Sequence, residues 1–343
     1  MRRHHNTLFV TTQGAYLGSE GDTVVVRVEQ ESRLRVPLHM LEGIVCFGRV
    51  SCSPSLLGEA SERGIGISFL SEKGRFIARV QGPISGNVLL RRQQYRLADD
   101  PTVPAVLAHT FVVAKVANCR TVLLRALRDH PEADGHEQVL GAIAALGRKL
   151  VELPSSIVLE QLRGIEGDAA RTYFDVFEHL IVMQKNTFPF GGRSRRPPLD
   201  NTNALLSFVY TLLTHDACSA LEAVGLDPQV GFLHRDRPGR PGLALDLIEE
   251  FRPVLADRLV LSLINRRQVQ ERGFVRGETG GVVMDDETRK TVLVAYQERK
   301  QEEIQHPFLG DETTVGMLVH LQALLLARFM RGDLDAYPPF VWK

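Results

Sequence analysis

Cysteine is scarce: the 343 residues hold four, Cys46, Cys52, Cys119 and Cys218, with no C-x-x-C pair among them. That spacing excludes a zinc ribbon and a dithiol redox motif, and a disulfide framework is out of place in a chain this long. The thiols are expected to be reduced, which points to the cytoplasm. Net charge is also absent, since 41 Lys and Arg balance 41 Asp and Glu. Affinity for a polyanion must therefore come from local clusters of charge. No run of about 18 apolar residues occurs, the length a membrane span requires. The apolar Leu8, Phe9 and Val10 after the basic opening fall far short of a signal peptide's hydrophobic segment, so no membrane association is expected. No internal repeat and no compact metal motif such as H-E-x-x-H is present. What remains is an apolar fraction of 44% and a charged fraction of 24%, the composition of a globular chain long enough for two domains.

Patterning divides the chain near residue 100. Up to residue 95 it is β-rich: "DTVVVRVEQ" follows a turn signal, "GIVCFGRVS" is a short apolar run, and "IGISFLSEKGRFIARV" reads as two strands. Ser53, Pro54 and Gly64 mark the cap, first turn and end of one short helix. Residues 96–104 change texture to charge and proline and are expected to be a linker. Beyond them, "AVLAHTFVVAKVANCRTVLLRAL", "EQVLGAIAALGRKLVEL", "NALLSFVYTLLTHDACSALEAV" and "VGMLVHLQALLLARFM" carry apolar residues at helical spacing. The fold expected is α+β: a small N-terminal β-sheet domain over 1–95, then a larger all-helical domain over 105–343.

Two stretches of the helical region are chemically out of place. In "LEQLRGIEGDAARTYF", Glu166 falls about 40° from Leu162 on a wheel of 100° per residue, on the apolar face. A buried carboxylate needs a cation, a hydrogen-bonded partner or a metal; Arg163 and Arg171 are the nearby cations. In "GFLHRDRPGRPGLALDLIEEFRP" a loop histidine, His234, precedes a helix from Gly242 that carries Asp246, Glu249 and Glu250. Asp246 and Glu249, three apart, share a face. Glu249 lies about 40° and Asp246 about 100° from Leu245, which makes Glu249 the inner of the two. Two carboxylates and an imidazole suit Mg²⁺ or Mn²⁺, although acids near a helix start are also an ordinary solvated face. Arginines surround these acids: Arg193, Arg195 and Arg196 in "GGRSRRPPLDN", Arg235, Arg237 and Arg240 in the His234 loop, Arg266 and Arg267 in "INRRQ". Guanidinium groups bind phosphate in bidentate fashion. Carboxylates for a metal with arginines outside them for phosphates form the layout of a metal-dependent phosphodiester site.

These stretches resemble the CRISPR-associated integrase family of spacer acquisition. "LRGIEGDAARTYF" is similar to its glutamate motif, "GFLH" to its histidine motif and "LALDLIEEFRP" to its final acidic motif, with "RRPPLDNTNALLSFVYTLL", "NRRQ" and "HPF" matching intervening blocks. The opening "RRHHNTLFVTTQGAYL" looks like the subtype I-C branch. The resemblance implies a metal-dependent endonuclease and integrase that inserts short foreign DNA into a CRISPR array. It implies a homodimer formed through the β-rich domain, a small ferredoxin-fold CRISPR-associated partner, and double-stranded DNA, protospacer and repeat, as substrate. Carried over, Glu166, His234 and Glu249 would ligate Mg²⁺ or Mn²⁺ and Asp246 would complete the catalytic pocket; many members have Asp where Glu249 stands. The competing readings are a non-catalytic DNA-binding scaffold whose His and acids form a structural cluster, and a small-molecule metallohydrolase, which the polyanion-directed arginines disfavour.

Overall fold

The early strands pair as two four-stranded sheets, with the Val-rich TVVVRV in the middle of one of them. One holds β1 (Asn6–Val10), β5 (Leu41–Phe47) and β7 (Gly66–Leu70) in parallel, with β8 (Phe76–Val80) antiparallel at its edge. The other has the order β4 (Glu31–Pro37), β3 (Thr23–Val28), β2 (Tyr16–Glu20), β6 (Ser51–Cys52). Leu17, Val24, Val26, Ile44 and Ile67 join one buried cluster, as alternation along each strand requires. Helix α1 (Pro54–Glu62) starts where the Ser53 hydroxyl accepts from the Leu56 N–H at 3.1 Å and ends before Gly64, whose φ of +68° suits glycine.

The computed structural model describes residues 6–72, 74, 76–80, 82, 88–153, 158–278 and 280–342; the first four residues of the subtype I-C stretch thus lie outside the described residues. Two compact units result, Met1–Ser85 with Met284–Glu302, and Gly86–Val283 with Glu303–Lys343. The first reclaims a late helix, α9 (Asp286–Gln301), whose Gln297 amide donates to the Thr7 carbonyl in β1 at 3.2 Å. Sequence patterning assigned everything beyond residue 104 to one helical domain. It differs here because helical periodicity does not encode which unit a helix joins.

The second unit holds the helices α2 (Val88–Ala98), α3 (Val103–Asp129), α4 (His136–Glu152), α5 (Leu159–Phe174), α6 (Asn201–Ala223), α7 (Gly242–Ile248), α8 (Arg258–Asn265) and α10 (Leu318–Arg331). Helix α2 begins inside the stretch expected to be β-rich and covers part of the expected linker. It is held by a tertiary device, the buried Gln94, whose amide donates to the Asp227 and Val230 carbonyls at 2.8 and 3.1 Å and accepts from the Asp227 N–H at 2.8 Å. Helices α3 and α6 are long and apolar enough by composition to cross a membrane, but 61% and 56% of their most apolar windows are buried inside the fold, as in core helices. Between α7 and α8 the chain makes a π-helical turn, Arg252–Asp257, a distortion frequent at functional sites.

Candidate active site

The His234 loop folds back onto the start of α7, and glycine permits it. A Cβ on Gly231 would lie 2.7 Å from the Gly242 carbonyl carbon and 3.0 Å from Asp246 Oδ2; one on Gly242 would lie 2.7 Å from the Gln229 carbonyl oxygen. The closed loop aims its N–H groups at Asp246. Oδ2 accepts from Phe232 N–H at 2.6 Å and Leu233 N–H at 3.0 Å; Oδ1 accepts from His234 N–H at 2.9 Å and faces His234 Nδ1 at 2.6 Å. An ionised carboxylate only accepts, so Nδ1 carries the proton and Nε2 presents its lone pair. From the other side, Arg163 Nε donates to the Leu233 carbonyl at 2.6 Å. The wheel placed Asp246 on the outer side of α7, yet it is 0% exposed, because the loop covers the face that the helix alone would leave open.

Glu249 follows directly on α7, and 3.9 Å separates His234 Nε2 from its Oε1. Glu166 reaches the same place from α5. The group that joins the two acids is Lys115 of α3, whose Nζ is ion-paired with Glu166 and lies 2.6 Å from Glu249 Oε2. Arg252 Nη1 donates to Glu249 Oε1 at 2.5 Å. Burial pushes the Glu249 carboxyl up, but Arg252, Lys115 and His234 outweigh it and bring it down to about 2. Burial likewise disfavours the Lys115 charge, and Glu249 and Glu166 reverse that, so its pKa is raised.

Neither arginine suggested by sequence pairs with Glu166; Arg163 is taken up by Leu233 and Glu160. Sequence patterning does not single out Lys115 or Arg252, although a lysine within the apolar "FVVAKVA" is a signal, since a lone cation on a buried face needs an anion.

Among the described residues no three His, Cys, Asp or Glu side chains stand together so as to hold a metal ion. Asp246 has committed both oxygens to the loop, and the cation between Glu166 and Glu249 is an ammonium. The donor chemistry still fits Mg²⁺ or Mn²⁺, with two carboxylates already gathered around a cation and one imidazole nitrogen fixed in tautomer.

Glu250 turns the other way. Its Oε2 accepts from Phe340 N–H at 2.8 Å and Gln322 Nε2 at 3.1 Å, and its Oε1 from Tyr337 OH at 2.8 Å. Burial outweighs these bonds and pushes the carboxyl up to about 8. His306, from the "HPF" block, extends the network. Its Nδ1 accepts from Phe308 and Leu309 N–H at 3.3 and 3.2 Å, which leaves Nε2 to donate to Gln322 Oε1 at 3.1 Å. This third acid therefore fastens the chain's last residues.

The arginines divide into two groups. Arg195, Arg196, Arg237, Arg266 and Arg267 are exposed. Arg235, also exposed, reaches Glu160 Oε2 at 2.6 Å, and burial lowers the pKa of the less exposed Arg240. Arg193 is instead built into the protein. It donates to the Ser194 carbonyl, Asn203 Oδ1 and Ser207 Oγ at 2.5, 2.6 and 3.2 Å. Both Arg193 and Arg252 lie over the Tyr210 ring, at 5.2 and 5.0 Å, and the Tyr210 hydroxyl donates to Asp257 at 2.5 Å.

A family model described as CRISPR associated protein Cas1 matches residues 8–298. The CRISPR-associated endonuclease Cas1 1 of Chlorobaculum tepidum is 57% identical over 343 residues, covering 100% of both chains. Among solved structures, a casposase bound to integration product superposes with a TM-score of 0.82 at 22% identity, over 96% of this chain and 92% of that one. A Cas6–RT–Cas1–Cas2 complex gives a TM-score of 0.82 at 21% identity, over 99% of this chain and 36% of that one.

Proposed function

Because this chain belongs to the CRISPR-associated Cas1 family, we propose that the pocket of Glu166, His234, Asp246 and Glu249 carries its endonuclease and integrase chemistry. The 3′-hydroxyl of a short foreign DNA duplex attacks a phosphorus at the edge of a CRISPR repeat, and the repeat strand's own 3′-hydroxyl leaves. One phosphodiester bond forms as one breaks, so the same site also runs the reverse, disintegration reaction; water in place of the attacking hydroxyl gives cleavage. Mg²⁺ or Mn²⁺ held by Glu166, His234 and Glu249 would polarise a phosphoryl oxygen and lower the pKa of the attacking hydroxyl. Asp246 keeps the His234 tautomer and ring orientation. Arg195, Arg196, Arg237, Arg266 and Arg267, with Arg235 and Arg240, bind DNA phosphates; Arg193 shapes the loop from which two of them project.

A single observation carries the reading: two carboxylates, one from α5 and one directly after α7, meet around one cation, beside an imidazole whose other nitrogen is held by a buried aspartate. We place the chain in subtype I-C on its opening residues. It acts in the cytoplasm as a homodimer through its β-rich N-terminal domain, with a small ferredoxin-fold CRISPR-associated partner; a Cas1–Cas2 assembly among the structural neighbours supports a partner of that kind. The ion-paired Lys115 also suits a scaffold that binds DNA without reacting. Strand transfer into supercoiled plasmid with Mg²⁺ or Mn²⁺ separates the two: joined products that vanish in Glu166→Ala and His234→Ala, with circular dichroism unchanged, establish catalysis, and binding without joining establishes the scaffold.

A further inference from the structure

We propose that Lys115 is a positioning residue that competes with the metal: its ammonium holds Glu166 and Glu249 together in the metal-free enzyme and must leave them for a divalent cation to bind. This inference rests on the metal-dependent reading above. Three observations lead to it. Lys115 is 7% exposed and projects from the core helix α3, so it is part of the interior and not a surface side chain that folded inward. Its Nζ contacts one carboxylate from each of two elements, Glu166 of α5 and Glu249 after α7, the two acids that would hold the metal. Finally, Glu249 has a second cation of its own, Arg252 on Oε1, so removing Lys115 does not leave Glu249 without a counter-charge.

Without a cation between them the two carboxylates, Glu249 buried and Glu166 with 26% of its side chain exposed, would repel each other, and Glu166 would lose its ion-pair partner. Lys115 relieves this by a tether that cannot diffuse away. A tethered ammonium also sets a threshold. A divalent ion gains both carboxylates only after displacing it, so apparent metal affinity is weaker than the donor set alone would give. The lysine thus keeps the acids in place while making metal binding conditional on metal concentration.

The test uses the full-length protein and Mn²⁺ alone, with free Mn²⁺ followed by electron paramagnetic resonance. Lys115→Met should bind Mn²⁺ about tenfold more tightly or better than the wild type, because a unit charge at contact distance shifts a cation's equilibrium by at least that factor. Its metal-free Tm should fall and its rise in Tm on Mn²⁺ addition should exceed that of the wild type. A merely structural lysine would give the opposite, a loosened site with weaker binding; unchanged or weaker affinity overturns the proposal. His234→Ala serves as the control for the underlying reading. If it binds Mn²⁺ as well as the wild type does, the metal assignment itself fails and the competition with it. Should Lys115→Met lack the wild-type circular dichroism, amine labelling of wild-type protein decides. Mn²⁺ must then increase acylation of Lys115 as read by mass spectrometry, and an equal extent of labelling with and without metal refutes displacement.

Discussion

Asp246→Asn would turn an amide donor toward N–H groups that already point at it, either those of Phe232 and Leu233 or the backbone and ring of His234. At 0% exposure no water can compensate, and the expected loss of stability is about 3 kcal/mol, the scale of a broken buried charged contact, measured by urea denaturation. Strand transfer should fall with it, since the His234 ring loses its orienting partner. Glu249→Gln removes a proposed ligand outright and should be the more damaging for catalysis. Raising Mn²⁺ is therefore expected to restore more activity to Asp246→Asn than to Glu249→Gln, and a metal titration of both variants checks the order. The opposite order would make Asp246 the ligand.

At the level of elements, the turn from α7 through the π-helical segment sends consecutive acids to opposite tasks, Glu249 to the pocket and Glu250 to the C-terminal segment. Because the Glu250 carboxyl is raised to about 8 in the folded protein from an unfolded value of about 4.3, folding favours its protonated form. Its stabilising contribution is complete below that unfolded value and is lost as pH rises through 8. Unfolding free energy measured from pH 5 to 9 should therefore decline more steeply for the wild type than for Glu250→Gln, by up to one proton's worth of slope; parallel curves would contradict this.

The same stretch shows what sequence could and could not reveal. "GFLH" and "LALDLIEEF" were legible as loop and helix because glycine, proline and apolar spacing are local signals. The complete burial of Asp246 was not, since a wheel treats a helix as isolated and cannot foresee a loop laid across it. Lys115 lies 51 residues from Glu166 and further from Glu249, and periodicity along one helix does not specify which partner it meets. Gln94 falls in the stretch expected to be β-rich for the same reason: its helix is fixed by backbone partners more than a hundred residues away, Asp227 and Val230.

Over the whole molecule, zero net charge coexists with a set of exposed arginines, so affinity for double-stranded DNA should decline steeply with salt. Replacing Arg195 and Arg196 together by Ala should flatten the slope of log affinity against log salt by about 2, near 0.9 per lost phosphate contact. Arg193→Ala should instead lower Tm, because that guanidinium is held by Asn203, Ser207 and the Tyr210 ring. Fluorescence anisotropy at several salt concentrations distinguishes the two, and an unchanged slope for the double variant would mean that the loop never touches DNA.

Helix α9 gives the chain a nested order: the first unit opens, the second begins, the first is completed by residues 284–302, and the second closes. Each unit is thus host to part of the other, and no single cut in the gene yields two whole domains. A fragment ending at residue 95 would lack the helix that packs beside β1, and one starting at 105 would carry that helix without its sheet. Ribosomal synthesis meets the same constraint, since the β-rich unit cannot finish folding until nearly nine-tenths of the protein has been made.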